Sequence, residues 1–310
     1  MAMSRQTSSR SASAEHSQGT ASEWERFGER VRAVRERLGL SVEELAEGAS
    51  ASPHRIRQVE SGSYEPQRND ARRLDSALQA EGVLWDAWAQ TFITAGLRAG
   101  ATVADLLPQA FQVRAYAPLV LPDGFLTEDY ARALNRVERP MEADFLIPDR
   151  PTIREVCGTF PGPPYYCLIA DEASLTRPVA SPSVMRAQLT RLRDLATGDR
   201  VTVHLLPQGT APHPGLRGAF WTLAFSPRHS LAYTPHPRGP GHLVTDATHI
   251  KGYADLFSTL QGVALSATDS LRLLDQVIER FPDKPRRRAL TTGLHHGTSD
   301  TYGTAAAARG

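Results

Sequence analysis

Between Ser41 and Gly62 the chain reads SVEELAEGASASPHRIRQVESG, and local chemistry marks three helix boundaries inside that stretch. Ser41 followed three residues later by Glu44 is a capping box: hydroxyl and carboxylate each satisfy a backbone N–H left free at a helix start. Val42, Leu45, Ala46 and Ala49 then recur at helical spacing and supply one buried face. Ala49, Ser50 and Ala51 are small and form a three-residue turn. Ser52-Pro53 opens the next helix, with Ser as the cap and Pro at the first helical position, where its missing N–H removes no hydrogen bond. Gly62 closes it. No other segment restricts the possible folds as strongly.

Two short capped helices joined by so tight a turn have the layout of a helix-turn-helix, which lays its second helix in the DNA major groove. At 100° per residue Ile56 and Val59 fall on one side of that helix, and His54, Arg57, Gln58 and Ser61 gather on the other, with Arg55 at the flank. Arginine suits guanine and glutamine suits adenine, each such pair being worth about 1–3 kcal/mol of discrimination. Tyr64, just past the helix, stands where a backbone contact is expected. Arg68, Arg72 and Arg73 offer phosphate anchors on the helix that follows.

The flanking pattern predicts an all-helical unit. Trp24, Phe27, Val31, Val34 and Leu38 step by threes and fours into Gly39, a helix with one apolar stripe and a glycine stop. A fourth helix follows Pro66, with Ala71, Leu74, Ala77 and Leu78 inward. Leu84, Trp85, Trp88 and Phe92 then lead out, either closing the small core or docking on the rest of the chain. The expected organisation is a disordered Ser-rich tail over 1–21, a helix-turn-helix domain over 22–80 and a helical linker over 81–103, with a hinge at Gly96 to Gly100. A larger mixed α/β (α+β) domain over 104–281 and a disordered basic tail over 282–310, containing Arg286 to Arg288, complete it. Within the larger domain, helices are predicted over 127–135, 183–196, 249–263 and 268–281. Strands over 165–170, 201–206, 219–225 and 231–234 imply a sheet of three to five strands.

Composition removes several classes of function. With 310 residues, 41% of them hydrophobic and 22% charged, the chain has ordinary globular composition, and no run reaches the roughly 18 apolar residues of a membrane helix. The first twenty residues lack the apolar core of a secretory signal, and only Cys157 and Cys167 are present, so a cytoplasmic location is expected. Net charge is +1, and residues 22–80 hold ten arginines against eleven acidic residues. Bulk attraction to nucleic acid is therefore absent, and any binding rests on where individual side chains stand. Six histidines lie between His204 and His249, and Asp171-Glu172 and Glu128-Asp129 are paired acids, but none forms a recognised catalytic or metal-ligand spacing. Asp171-Glu172 reads as a strand end or a helix cap. No enzyme activity, cofactor or metal is expected.

The run LAxxxxxSxxxIxxxExGxxxP, occupied here by Leu45, Ala46, Ser52, Ile56, Glu60, Gly62 and Pro66, resembles the hallmark of the xenobiotic-response-element class of helix-turn-helix regulators. Where that class commonly has glutamine at the first residue of the second helix, this chain has Val42. The larger domain is similar to that of a group of actinobacterial, WhiJ-like, antitoxin-like regulators. The resemblance is carried by RAYAP from Arg114 to Pro118, TEDYARAL from Thr127 to Leu134, DEASLTRPV from Asp171 to Val179, QLTRL from Gln188 to Leu192 and HPGLRGAF from His213 to Phe220. In that group a PGLLQ segment precedes TEDY; here Pro122, Asp123, Gly124, Phe125 and Leu126 stand there. The resemblance implies transcription regulation by a homodimer on double-stranded operator DNA, often beside a small acidic partner protein, with no known effector. A second reading is an antitoxin-like adaptor that sequesters such a partner. In both, His54, Arg55, Arg57, Gln58, Ser61 and Tyr64 are the expected DNA-binding residues.

Overall fold

The computed structural model describes residues 23–138, 164–236 and 239–282. The two tails and Cys157 of the sequence reading lie outside them, apart from Pro282. Five helices come first: α1 (23–37), α2 (Val42–Gly48), α3 (Pro53–Glu60), α4 (Arg68–Ala77) and α5 (Val83–Arg98). Their starts follow the sequence chemistry. Ser41 Oγ accepts from Glu44 N at 3.1 Å while Ser41 N donates to Glu44 Oε2 at 2.7 Å, the reciprocal capping box. Ser52 Oγ accepts from Arg55 N at 3.1 Å, and Gly39 (φ 69°) and Gly62 (φ 72°) take the left-handed turns that end α1 and α3. A further cap was not anticipated: Asp75 at the end of α4 accepts from the N–H groups of Gly82, Leu84 and Trp85, so α5 is capped by a buried carboxylate from outside its own first turn.

Trp24, Phe27, Val31, Leu45, Ile56, Val59, Leu74 and Trp88 fill the helical core. Leu38, read as part of the buried stripe, is instead 47% exposed. Helix α1 ends at residue 37, and Leu38 follows in its closing turn, its N–H donating to Val34 O at 3.1 Å.

The second part contains α6 (Val103–Leu106), β1 (Gln112–Ala117), α7 (Glu128–Glu138), β2 (Tyr165–Asp171), α8 (Glu172–Thr176) and α9 (Pro182–Ala196). Then follow β3 (Val201–Leu206), β4 (Phe220–Ala224), β5 (Ser230–His236), β6 (Gly239–Val244), α10 (Ala247–Val263) and α11 (Ala267–Glu279). The six strands form one mixed sheet in the order β3-β2-β1-β4-β5-β6, parallel from β3 to β1 and antiparallel from β1 to β6. The sheet thus exceeds the three to five strands read from the sequence. β1 was missed because a charged Arg114 sits in its middle, and β6 because GPGHLV looks like a turn. Asp171 does both things expected of it, ending β2 and capping α8 by accepting from Ala173 N at 2.9 Å.

Strand alternation separates two faces. Val113, Ala115, Leu168, Val203, Leu205 and Leu223 point into the main core with α9 and α11, while Tyr116, Ile169, Leu206 and Phe220 meet Phe257 and Leu260 of α10. The helical core runs without interruption into the first of these layers. Helix α5, expected as a linker, makes the junction. Its Trp88 is fully buried and donates to Pro66 O at 2.7 Å, closing the small core, and its Trp85 donates to Phe225 O at 2.8 Å across the seam. Beside it Ser226 Oγ donates to Asp86 Oδ1 at 2.5 Å, and Phe92 packs on Phe225 at 5.7 Å between ring centroids. Both alternatives posed for the tryptophans are therefore realised. Gly96, placed in the expected hinge, lies inside α5, where an added Cβ would stand 3.0 Å from Leu106 Cδ2; the chain turns at Gly100 (φ 75°).

Candidate nucleic-acid interface

Helix α3 is held by its inner face. Ile56 and Val59 are buried, and so is Glu60, one turn beyond Ile56. Glu60 Oε1 accepts from Arg35 Nε at 2.6 Å, and its Oε2 accepts from Arg35 Nη2 at 3.1 Å and Arg32 Nε at 3.4 Å. Arg35 is further fixed by donating to Leu40 O at 2.9 Å, and the Glu60 hydrogen bond pushes its guanidinium pKa up. Two glycines let α1 approach this end of α3. A Cβ on Gly28 would meet Val59 O at 2.3 Å, and one on Gly62 would meet Glu25 N at 2.5 Å. The angle at which α3 leaves the domain is thus set by a buried ion-pair network and a close backbone contact, neither of which the sequence reading drew out. A signal existed, since Glu60 lies four residues after Ile56 on the apolar side.

The outer face carries the residues singled out from the sequence. His54, Arg55, Arg57 and Ser61 are exposed, and Gln58 and Tyr64 are half-buried. Arg57 Nη2 bonds Glu43 Oε1 of α2 at 2.6 Å, both side chains being about 60% exposed. Such an exposed pair is worth about 0–1 kcal/mol, so another anion can take its place. Arg55 stacks 3.7 Å over the ring of Tyr64, whose hydroxyl donates to Asp70 Oδ2 at 3.1 Å. Burial and the Asp70 charge push that phenol up. Ser61 caps α3, its hydroxyl donating to Gln58 O at 3.1 Å. The turn between the helices places Ser50 in the left-handed region (φ 50°).

Of the three arginines read as phosphate anchors on α4, Arg72 and Arg73 are exposed, Arg73 pairing with Asp70. Arg68 is 4% exposed. Its guanidinium donates to Ala110 O, its N–H donates to Gln109 Oε1 at 2.9 Å, and burial lowers its pKa to about 10. Arg68 therefore belongs to the seam between the two parts of the chain. Arg72 lies 5.2 Å from the centroid of Trp85 and leans toward the same seam.

The histidines of the larger part are dispersed. His204 Nδ1 lies 2.9 Å from Leu265 O, and His213 Nδ1 accepts from Gly215 N at 3.3 Å with Nε2 3.9 Å from Asp171. Among the described residues no three His, Cys, Asp or Glu side chains converge as metal ligands, and no helix there is long and apolar enough to cross a membrane.

A capped pair of helices with a three-residue turn, an anchored second helix and a polar outer face defines a helix-turn-helix protein, here joined to a mixed α/β domain. Residues 26–88 match a family described as a helix-turn-helix domain, which supports a DNA-binding regulator. Residues 101–276, more than half of the chain, match the family described as a domain of unknown function (DUF5753), and the chain belongs to that family. No curated protein and no solved structure gives a significant match.

Proposed function

We propose that the chain is a sequence-specific transcriptional regulator of the xenobiotic-response-element, WhiJ-like type, that acts in the cytoplasm and carries no enzymatic activity of its own. Arg57 and Gln58 read base edges in the major groove, His54 and Ser61 bound the reading face, and Arg55 and Tyr64 contact the backbone at its margin. The observation that carries this reading is the two-sided character of α3. Its inner face is locked by Ile56, Val59 and the Glu60–Arg35 pair, while His54, Arg55, Arg57 and Ser61 stand exposed on its outer face. Among the described residues Arg68 is drawn into the seam and Arg57 is shared with Glu43, which reduces the phosphate contacts one copy can make. A homodimer on two half-sites about one helical turn apart supplies the missing phosphate contacts. The larger domain would supply dimerisation, partner binding or effector sensing.

The test is a gel-shift titration on DNA from the chain's own promoter region, comparing wild type with the Arg57→Ala, Gln58→Ala double variant. Two lost base contacts at about 1–3 kcal/mol each predict roughly a 30-fold to 10⁴-fold loss of specific binding. A folded double variant that binds like wild type would remove α3 as the reading helix. Val42 at the first position of α2 and the near-neutral charge of the small domain favour one second reading, an antitoxin-like adaptor that sequesters a small acidic protein. Under it, a chain lacking operator binding would still co-purify from the native host with a stoichiometric acidic partner.

A further inference from the structure

Among the described residues, the face of the sheet that carries α10 has a cleft of about 220 Å³ beside that helix, over β1, β4 and β5. Register explains its lining. Gln112 pairs with Ala224, Arg114 with Thr222 and Ala224 with Ser230, so alternate residues of three neighbouring strands project into the same space, walled on one side by Ile250 and Ala254 of α10. A half-buried arginine thus stands among hydroxyl, amide and small apolar groups. Among the described residues no carboxylate lies within salt-bridge distance of the Arg114 guanidinium and no side chain accepts a hydrogen bond from it; the ring of Phe257 stands 5.8 Å away, and the neutral thiol of Cys167, its register partner on β2, is near enough to feel its charge. Several buried or half-buried arginines among the described residues find oxygen: Arg35 bonds Glu60 and Leu40 O, Arg68 bonds Ala110 O, and Arg186 bonds Ile278 O. Arg114 has no such bond, and, unlike the half-buried Arg191, it lines this cleft, where its planar fork suits a carboxylate in two-point contact.

One wall of the cleft is also part of the seam between the domains. Ser226 lines it and donates to Asp86 of α5, while the neighbouring carbonyl of Phe225 accepts from Trp85. An occupant therefore touches the same short segment that fastens the helix-turn-helix unit to the sheet.

We propose that this cleft binds a small organic monocarboxylate, with Arg114 taking the carboxylate and Ile250 and Ala254 covering its apolar part, and that occupancy is felt at the Ser226–Asp86 contact. A ligand of this kind alters the seam only through a difference in affinity between its arrangements. Its use as an effector site rests on the regulator reading above; the binding and its effect on the seam do not.

The test titrates the full chain, labelled with nitrogen-15, with sodium benzoate and, in parallel, with neutral benzamide, following the four indole N–H resonances, of which Trp85 is identified by its loss in Trp85→Phe. Saturable movement of the Trp85 signal by benzoate, and at least about tenfold weaker action by benzamide, is the expected result. Arg114→Gln should weaken benzoate by a similar factor. Ala254→Leu, which fills the cleft from the helix and leaves Arg114 in place, should do the same and serves if the arginine variant does not fold. No movement of Trp85, equal action by benzamide, or undiminished binding by folded Arg114→Gln or Ala254→Leu would each overturn the proposal. Because no DNA is present, loss of operator binding bears on the regulator reading alone.

Discussion

Replacing Glu60 by glutamine removes the one charge that the inner side of α3 presents to α1. Its carboxylate is 3% exposed and accepts from Arg35 at 2.6 and 3.1 Å and from Arg32 at 3.4 Å. Breaking a buried ion pair on one side costs about 3–5 kcal/mol, because the partner charge stays behind without compensation. Two features reduce that here. Arg32 is half exposed and returns to water, and Arg35 keeps its bond to Leu40 O. The expected loss is about 2–4 kcal/mol, with the lower end applying if the amide oxygen of glutamine retains one arginine donor. The assay is urea unfolding followed by circular dichroism and tryptophan fluorescence, with Arg35→Met and the double variant completing a thermodynamic cycle. The coupling between positions 35 and 60 should reach about 1.5 kcal/mol or more. A single-variant loss below about 0.5 kcal/mol, with no coupling, would refute the claim that this network fixes α3, since it would then behave as an exposed pair.

Three further predictions concern neighbouring features. Ser50 occupies a left-handed conformation, so Ser50→Gly should stabilise the chain by up to about 1 kcal/mol and Ser50→Val should destabilise it by about 1 kcal/mol or more, read from thermal melts. The Ser41 backbone and hydroxyl bonds hold the Glu44 carboxyl below its ordinary value of 4.5. A depressed carboxylate contributes stability that is present above that pH and lost as pH falls through the lower folded value, so Glu44→Gln should flatten the acid limb of the stability profile and leave its neutral-pH slope unchanged. At the seam, Asp86 accepts from Ser226 and pairs with Arg228 at 3.2 Å; Asp86→Ala should cost about 1–3 kcal/mol and speed proteolytic cleavage between α5 and β1, as followed by mass spectrometry.

What the sequence disclosed follows the range of the interactions. The caps at Ser41 and Ser52, the glycine stops at residues 39 and 62 and the buried face of α3 depend on residues within one turn of each other, and the structure has each of them in place. β1 was not legible, because an arginine in its middle is acceptable only through pairing with the distant strands β2 and β4, and β6, which pairs with the adjacent β5, was hidden by its two glycines and a proline. The fate of Arg68 was equally hidden. On its own helix it looks like a surface cation, and only the carbonyl of Ala110, forty-two residues on, explains its burial. Glu60 is the intermediate case: its helical phase, one turn beyond Ile56, points it inward, but its partners Arg35 and Arg32 stand on another helix and are fixed only by the fold. Of the candidate reading residues, His54, Arg55, Arg57 and Ser61 are exposed, Gln58 is half-buried, and the Tyr64 hydroxyl is turned to Asp70.

The central claim is that the outer face of α3 reads DNA sequence on behalf of the whole chain. Genome-wide mapping of bound sites in the native host, for wild type and for the Arg57→Ala, Gln58→Ala variant at equal abundance, tests it most directly. The account predicts a limited set of sites sharing two related half-sites about one helical turn apart, and their loss in the variant. Absence of enriched sites for wild type, or the same sites for both proteins, would contradict it.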